Sequence, residues 1–419
     1  MSIISIPADI HSGPLRALRH RNYRLFFSGQ VISLTGSWMQ YTAQAWLIYR
    51  ITGSAMMMGV AAFADKVPVL LLGLAGGVAA DRRDRHRLVM LTQTLLMLQA
   101  VAMAVMAAAD RVSIAGLLAL VIIQGIINAF DLPARQSFVG RMVEPGDLPN
   151  ALALNSSVFN AARVIGPAAA GVLVAALGEA ACFLINAASY LAVLFCLRAM
   201  RFDQPEEPRG GGSSARAMLE GLRFAAASPP VRSLLILLGL ASIFGVPVIL
   251  LVPIFAGEIL GGGARGLGIL MGCMGAGAFV AAVGLARRAG TAGLGRVVAS
   301  GAVGFGIALV LFALSEHFAI SCALLAVAGF CMITQAAATN QLLQMLTPDT
   351  LRGRVMSLYT IMFVGMAPFG SLLAGALAER AGAPAAVAAG GLACAVSGLF
   401  FAALIPRIRS QARLAEAVR

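Results

Sequence analysis

The segment GGVAADRRDRHR, residues 76–87, separates two long apolar runs, 56–80 and 88–108. The segment holds four arginines and two aspartates, whereas the run at 88–108 holds no charged residue. A helix that crosses a bilayer needs about 20 consecutive apolar residues. The pattern therefore predicts a short charged loop between two membrane-spanning helices.

The whole chain repeats this pattern. Of its 419 residues 59% are hydrophobic and 12% are charged, against about 25% charged residues in soluble domains. This composition excludes an ordinary soluble enzyme and a disordered chain. The apolar runs are too long, and alternate too little, for strands of a membrane barrel. We predict an all-α membrane protein with twelve transmembrane helices, at 25–48, 56–80, 88–108, 114–133, 153–177, 181–200, 233–256, 266–286, 296–314, 318–339, 356–378 and 384–405.

The basic residues orient these helices. With the N-terminus in the cytoplasm, 25 of the 31 basic residues fall on the cytoplasmic side, as the positive-inside rule requires. Only four fall outside and two fall within spans: Arg50, Arg111, Arg265 and Arg380, then Lys66 and Arg163. The net charge of +13 is thus explained by topology, and we predict no nucleic-acid partner and two cytoplasmic termini.

A repeat divides the chain into halves. Met142, Pro145 and Leu148 recur 203 residues later as Met345, Pro348 and Leu351. A repeat of half the chain predicts two pseudo-symmetric six-helix bundles with a substrate cavity between them. The predicted parts are a cytoplasmic tail, the first bundle, a cytoplasmic linker with an amphipathic helix, the second bundle and a second cytoplasmic tail, at 1–24, 25–200, 201–232, 233–405 and 406–419.

The charged loop can act as a latch. Gly77 would let another helix approach closely, and Asp81 could pair with an arginine or cap a neighbouring helix N-terminus. Arg82 and Arg85 follow at fixed spacing. The alternative is that all four residues are ordinary anchors at the inner leaflet.

Here the sequence resembles the major facilitator superfamily, whose signature loop is G-x-x-x-D-R-x-x-R. Further segments are similar to the transmembrane secretion effector branch of the drug:proton antiporters, which includes enterobactin exporters: SLTGSWMQ (33–40), AFDLPARQSF (129–138), LNSSVFNAARVIGP (154–167), LINAASY (184–190) and TPDTLRGRVMS (347–357). Gly166, Pro167 and Gly171 match the antiporter motif, although Ala162 and Ala170 replace two of its glycines.

The resemblance implies a secondary transporter of a bacterial cytoplasmic membrane. It would export a small amphipathic molecule or siderophore by alternating access coupled to proton antiport. Its surroundings would be the lipid bilayer, and it would need no cofactor. It would act as a monomer. The arginine that the family associates with proton coupling in span four is Val121 here, so that route is not carried over.

Polar residues within the spans are candidates for substrate binding or proton coupling, because burying a charge in a bilayer is costly. Arg163 shares a helix face with Asn160 and could attract an anion or form a static ion pair. Asp65 is the proton-site candidate, unless it forms a structural salt bridge with Lys66. Further candidates are Gln40 and Gln44 for substrate or helix packing, and Asp131, Arg135, Arg352 and Arg354 for an inner gate network.

Two other functions stay open from the sequence: a lysophospholipid or lipid flippase of the same fold, and a membrane scaffold or sensor that transports nothing. An enzyme is not predicted, because no phosphate-binding loop or hydrolytic constellation appears. His11, His20, His86 and His317 lie in predicted loops or tails, and the six cysteines form no metal-binding pattern, so we predict no metal site.

Overall fold

The computed structural model describes residues 15–109, 112–202, 215–286 and 293–417. Within these residues the secondary structure is helical, as predicted, and contains no strand. The predicted stretches 1–14 and 203–214 of the first tail and linker lie outside the described residues.

Fifteen α-helices follow one another in these ranges. They are α1 (Arg21–Thr52), α2 (Ala55–Arg82), α3 (Arg85–Ala108), α4 (Ile114–Val139), α5 (Leu148–Leu177), α6 (Glu179–Arg198), α7 (Ala215–Ala227), α8 (Pro229–Phe244), α9 (Val248–Ile254), α10 (Gly263–Ala286), α11 (Leu294–Ala313), α12 (Phe318–Leu346), α13 (Asp349–Thr360), α14 (Ala367–Ala381) and α15 (Ala383–Ala417).

Eleven helical stretches of the described residues are long and apolar enough to cross a membrane. The helix α1, with 32 residues, is also long enough, but polar side chains such as Gln30, Gln40 and Gln44 lower its hydropathy. It supplies the twelfth crossing of the predicted fold. His86, which was expected in a loop, is the second residue of α3, and α15 continues past the predicted start of the tail at 406 to Ala417.

Two predicted spans are interrupted. The seventh consists of α8, α9 and a π-helical turn, Phe255–Ile259, and the eleventh consists of α13, a π-helical turn, Ile361–Gly365, and α14. Pro368 is the second residue of α14, where its missing N–H removes no intrahelical bond. The chain therefore passes from the π-helical turn into a new helix just before this proline. By contrast, α5 runs unbroken through Pro167.

The described residues fall into two compact units. The first comprises Met1–Gln44 and Leu71–Gly212, and the second comprises Ala45–Leu70 and Ser213–Arg419. Residues 45–70 belong to the first bundle by chain order, yet they pack within the second unit. The domain boundaries drawn from the sequence remain a prediction.

Each unit has its own apolar core. In the first unit, Tyr23, Phe26 and Phe138 pack with Leu197 near the start of α1 and the end of α6. In the second, a cluster that includes Leu234, Val298, Leu343 and Phe401 joins α8, α11, α12 and α15. The predicted amphipathic helix is α7, and its Leu219 and Leu222 are about half exposed.

Candidate functional site

The loop between α2 and α3 is held by one buried arginine. Arg85 is 6% exposed; its Nε donates to the carbonyl of Ala80 at 3.1 Å, and its Nη2 lies 3.5 Å from Asp81 Oδ1. The structure thus brings together two of the predicted latch residues, Asp81 and Arg85. Arg82 is exposed.

The neighbouring aspartate, Asp84, caps the N-terminus of α3. Its side chain accepts a hydrogen bond from the backbone N–H of Arg87 at 2.9 Å, and its other oxygen lies 3.7 Å from Arg141. A carboxylate is favoured here because the first N–H groups of a helix have no intrahelical partner. Asp84 therefore serves α3 itself.

The close helix approach predicted at Gly77 occurs at the preceding residue, Gly76, in this structure. A Cβ on Gly77 would meet no described atom within 4 Å, whereas a Cβ on Gly76 would lie 2.0 Å from the carbonyl oxygen of Ala129. Consecutive residues point about 100° apart on a helix. The face of α2 that packs against α4 is therefore the one that carries Gly76.

A buried carboxylate joins three helices of the first unit. Asp131 on α4 is 0% exposed and accepts hydrogen bonds from Thr92 at 2.7 Å and Gln93 at 2.9 Å, both on α3. Arg135, one turn along α4, forms an ion pair with Asp131 and donates to Gln30 on α1 at 3.1 Å. This network stabilises the contact between α1, α3 and α4.

The inner gate residues of the other half have separate partners. Arg352 pairs with Asp349 on its own helix, α13. Arg354 pairs with Glu220 of α7, so it fastens the amphipathic helix to α13. The joint network of Asp131, Arg135, Arg352 and Arg354 remains a prediction.

A cluster of buried amides surrounds Gln40. Its Nε2 donates to Gln99 at 3.1 Å and to Gln124 at 3.2 Å, and its Oε1 accepts from Asn186 at 2.7 Å. Gln40 therefore joins α1 to α3, α4 and α6. Of the two roles considered from the sequence, substrate binding and helix packing, these contacts correspond to helix packing. Gln44 is also buried, but its Oε1 has no hydrogen-bond partner among the described residues.

Arg163 lies beside aromatic side chains. Its Cζ is 5.7 Å from the centre of the Trp38 ring, within the range of a cation–π interaction. The Trp38 ring also has edge contacts with Phe159 at 5.7 Å and with Tyr41 at 6.0 Å. The sequence indicated the arginine but not these aromatic neighbours on α1 and α5.

The rest of the α5 motif contacts its own helix or α1. Asn160 donates to the carbonyl of Ser156 at 2.8 Å. A Cβ on Gly166 would lie 2.5 Å from the Cβ of Trp38 and 2.8 Å from the carbonyl oxygen of Thr35, so glycine lets α5 approach α1. Pro167 and Gly171 are buried. Because proline has no N–H, the carbonyl of Arg163 lacks its usual helical donor.

In the second unit, Asp65 and Lys66 form an ion pair at 2.6 Å. The Asp65 side chain is 3% exposed and the Lys66 side chain is 41% exposed. Adjacent residues need not pair on a helix, but the long lysine side chain reaches back to the carboxylate. The structural salt bridge weighed in the sequence is therefore present.

Two acidic residues that the sequence analysis missed bind residues of the 45–70 segment. Glu258 accepts a hydrogen bond from the Tyr49 hydroxyl at 3.1 Å. Glu379 accepts from Ser54 Oγ and from the backbone N–H of Met56, each at 3.1 Å. A signal for these two residues was available in the sequence. Both lie at the end of an apolar run, on the side opposite to the arginine-rich loops.

Three potential metal ligands lie together in the first unit: His20, Glu144 and Asp147. Asp147, however, accepts a hydrogen bond from His20 at 2.8 Å and lies 3.2 Å from Arg16 and 3.0 Å from Arg19. The hydrogen bond from His20 and these charges hold the pKa of Asp147 below its ordinary value, against the effect of burial. The surrounding cations disfavour a metal ion, so the cluster is an ion-pair network.

The helices, the charged loop and the buried polar groups define a multi-pass membrane protein. The chain matches the family model described as transmembrane secretion effector over residues 12–417. The protein therefore belongs to the transmembrane secretion effector family of major facilitator transporters.

Two relatives are similar along nearly the whole chain, and a third is similar over less than half of it. The multidrug efflux pump Tap of Mycolicibacterium fortuitum is 25% identical over 390 residues, which cover 89% of this chain and 93% of Tap. The enterobactin exporter EntS of Shigella boydii is 24% identical over 391 residues, 93% of each chain. The staphyloferrin A transporter of Staphylococcus aureus is 28% identical over 42% of this chain and 44% of its own length.

Solved structures share the fold. A bacterial homologue of the human lysosomal transporter Spinster, in an inward-facing and occupied conformation, superposes with a TM-score of 0.72 at 15% identity, covering 93% of this chain and 97% of that one. A POT family transporter in complex with 5-aminolevulinic acid gives a TM-score of 0.70 at 13% identity, covering 93% and 96%. The family and the relatives, rather than these structures, make the protein a secondary transporter that exports small molecules.

Proposed function

We propose that the protein exports a small amphipathic anion, of siderophore or drug type, by alternating access driven by proton antiport. Relatives named as a multidrug efflux pump and an enterobactin exporter support export of such molecules. The arginine distribution supports an orientation with both termini in the cytoplasm. The protein would act as a monomer in a bacterial cytoplasmic membrane.

The observation that carries the substrate class is Arg163 beside Trp38. Arg163 is 15 residues from the start of α5 and 14 from its end, so it lies near the middle of the span. A cation with aromatic neighbours in an apolar span suits a ligand that has both negative charge and a flat apolar part. Gln44, with its buried carbonyl lacking a donor among the described residues, is a further candidate contact.

Replacing Arg163 with methionine is expected to lower export of an anionic substrate about 10- to 100-fold, because a hydrogen bond to a charged group contributes roughly 1.5–3 kcal/mol. Export is measured in proteoliposomes against a panel of anionic siderophores, neutral drugs and lipids. Arg163→Lys, which keeps the charge, should retain more activity than Arg163→Met.

Neutral members of the panel provide the control, since their export should change little in Arg163→Met. Equal loss for neutral and anionic compounds would assign Arg163 a structural role. Full activity toward anions in Arg163→Met would remove Arg163 from the substrate site.

For proton coupling we propose Asp65. This carboxylate is almost fully buried, and among the described residues its Lys66 neighbour provides the ion pair. Protonation of Asp65 would remove the negative charge and release the ammonium group toward solvent. A buried carboxylate that alternates between an ion pair with a lysine and a protonated form can bind and release protons during transport.

The Asp65→Asn variant is expected to lose the acceleration of export that an imposed pH gradient produces, because an amide does not titrate. Substrate flux is measured in proteoliposomes with and without a gradient, and thermal denaturation checks that the variant is folded. Glu379→Gln, which alters an acid in the same unit, is the matched comparison. Full gradient response in Asp65→Asn would exclude Asp65, and a wild type that ignores the gradient would exclude antiport.

A further inference from the structure

An open cleft with a volume of about 470 Å³ lies in the first unit, away from Arg163. It is lined by His20, Arg21, Asn22, Met142 and Arg201. These residues come from the start of α1, the segment after α4 and the segment after α6. None of them was a candidate site residue in the sequence.

The walls of the cleft are fixed by hydrogen bonds. Asn22 Nδ2 donates to the carbonyl of Arg201 at 2.6 Å, and the backbone N–H of Arg201 donates to Asn22 Oδ1 at 3.2 Å. His20 is held by Asp147 at 2.8 Å, and Met142 belongs to the apolar core of the unit. The cleft is therefore preformed.

The cleft carries positive charge that described acidic residues do not neutralise. Arg21 and Arg201 are exposed, and no described carboxylate lies within ion-pair distance of either one. Asp147, the nearby buried acid, already binds His20 and two other arginines. One turn after Arg21, the buried Nη1 of Arg24 has no hydrogen-bond partner among the described residues. The charges of Arg21 and Arg201, which line the cleft, attract an anion.

The position of the cleft indicates where the anion comes from. Arg21 is the first residue of α1, and α6 ends three residues before Arg201, so the cleft lies where two spans leave the membrane. Below it, α6 exposes Leu191 and Phe195, the latter by 75%. Helix ends flanked by basic residues and an apolar surface match the headgroup level of a bilayer.

We propose that this cleft binds the phosphate headgroup of an anionic membrane lipid. Arg21 and Arg201 contact the phosphate, and the acyl chains lie along the exposed apolar face of α6. The proposal rests on the membrane orientation given under the proposed function, which places this end at the cytoplasmic leaflet. It requires neither a particular transported substrate nor proton coupling.

The test uses the purified full-length protein and native mass spectrometry with phosphatidylglycerol or phosphatidylcholine. The wild type is expected to bind phosphatidylglycerol at least tenfold more tightly. The double variant Arg21→Gln, Arg201→Gln should weaken phosphatidylglycerol binding about 25-fold, since each basic residue at an anionic surface contributes about a factor of 5. The control is Arg265→Gln, Arg380→Gln, which removes the same charge from exposed positions in predicted outer segments and should bind like the wild type.

Three results would overturn the proposal. The first is unchanged phosphatidylglycerol binding in the Arg21→Gln, Arg201→Gln variant. The second is binding of inorganic phosphate that depends on these arginines without any preference between the two lipids, which would identify a free anion as the ligand. The third is that lipid binds only to the triple variant Asp203→Asn, Glu206→Gln, Glu207→Gln and not to the wild type. That result would mean that the acidic residues after Arg201 already neutralise the cleft. Because lipid binding is measured without transport, a failed export assay would neither support nor contradict the lipid-binding proposal.

Discussion

Replacing Arg135 with methionine is expected to lower the free energy of unfolding by about 3 kcal/mol, because the substitution leaves the Asp131 carboxylate buried without its cation. Asp131 is 0% exposed. Its hydrogen bonds from Thr92 and Gln93 remain, but two neutral donors do not replace a guanidinium. Thermal denaturation of the detergent-solubilised protein measures the loss.

The double variant Asp131→Asn, Arg135→Met separates charge from packing. It removes the carboxylate together with its partner, so its stability should return to within about 1 kcal/mol of the wild type. Arg83→Met, at an exposed position, should change stability little. Equal destabilisation of the single and double variants would show that the arginine acts through its aliphatic contacts rather than by compensating Asp131.

Adding a single methyl group at Gly277 is expected to cost about 3 kcal/mol. In this structure α10 and α12 approach so closely that a Cβ on Gly277 would lie 1.8 Å from the carbonyl oxygen of Ala326, and a Cβ on Gly329 would lie 1.9 Å from that of Met274. A backbone oxygen cannot rotate away as a side chain can, so the two helices must separate. Gly277→Ala and Gly329→Ala should both denature at lower temperature.

The same substitution at Gly284 is the matched control on the same helix. A Cβ there meets no described atom within 4 Å, and alanine favours a helix over glycine by up to about 1 kcal/mol. Gly284→Ala should therefore be as stable as the wild type or more stable. If Gly277→Ala behaved in the same way, α10 and α12 would not be packed backbone to backbone.

The helices were predictable because membrane insertion depends on local composition. The runs at 88–108 and 318–339 appear as α3 and α12, although α12 continues to Leu346. The amphipathic stretch after the linker appears as α7. The two π-helical turns were not foreseen, since an apolar run with a proline looks the same whether the helix continues, as at Pro167, or breaks, as before Pro368.

The charged residues of the candidate site could be predicted from the sequence, but the side chains that contact them could not. A charged residue inside an apolar run is visible in the sequence, which is how Arg163, Asp65 and Asp131 became candidates. Their surroundings differ: Arg163 has aromatic neighbours, Asp65 has an adjacent lysine, and Asp131 has donors from another helix. Such partners come from distant parts of the chain, and no spacing rule connects them.

The sequence by itself determined that this protein crosses a membrane about twelve times and belongs to a family of small-molecule exporters, because span length, charge distribution and motifs are read along the chain. The tertiary structure alone decided which faces meet. Helices that are apolar all round give no periodic signal for the face that packs, so only the structure places Gly76 rather than Gly77 against α4. It also buries Gln40 among three other amides and groups residues 45–70 with the second unit.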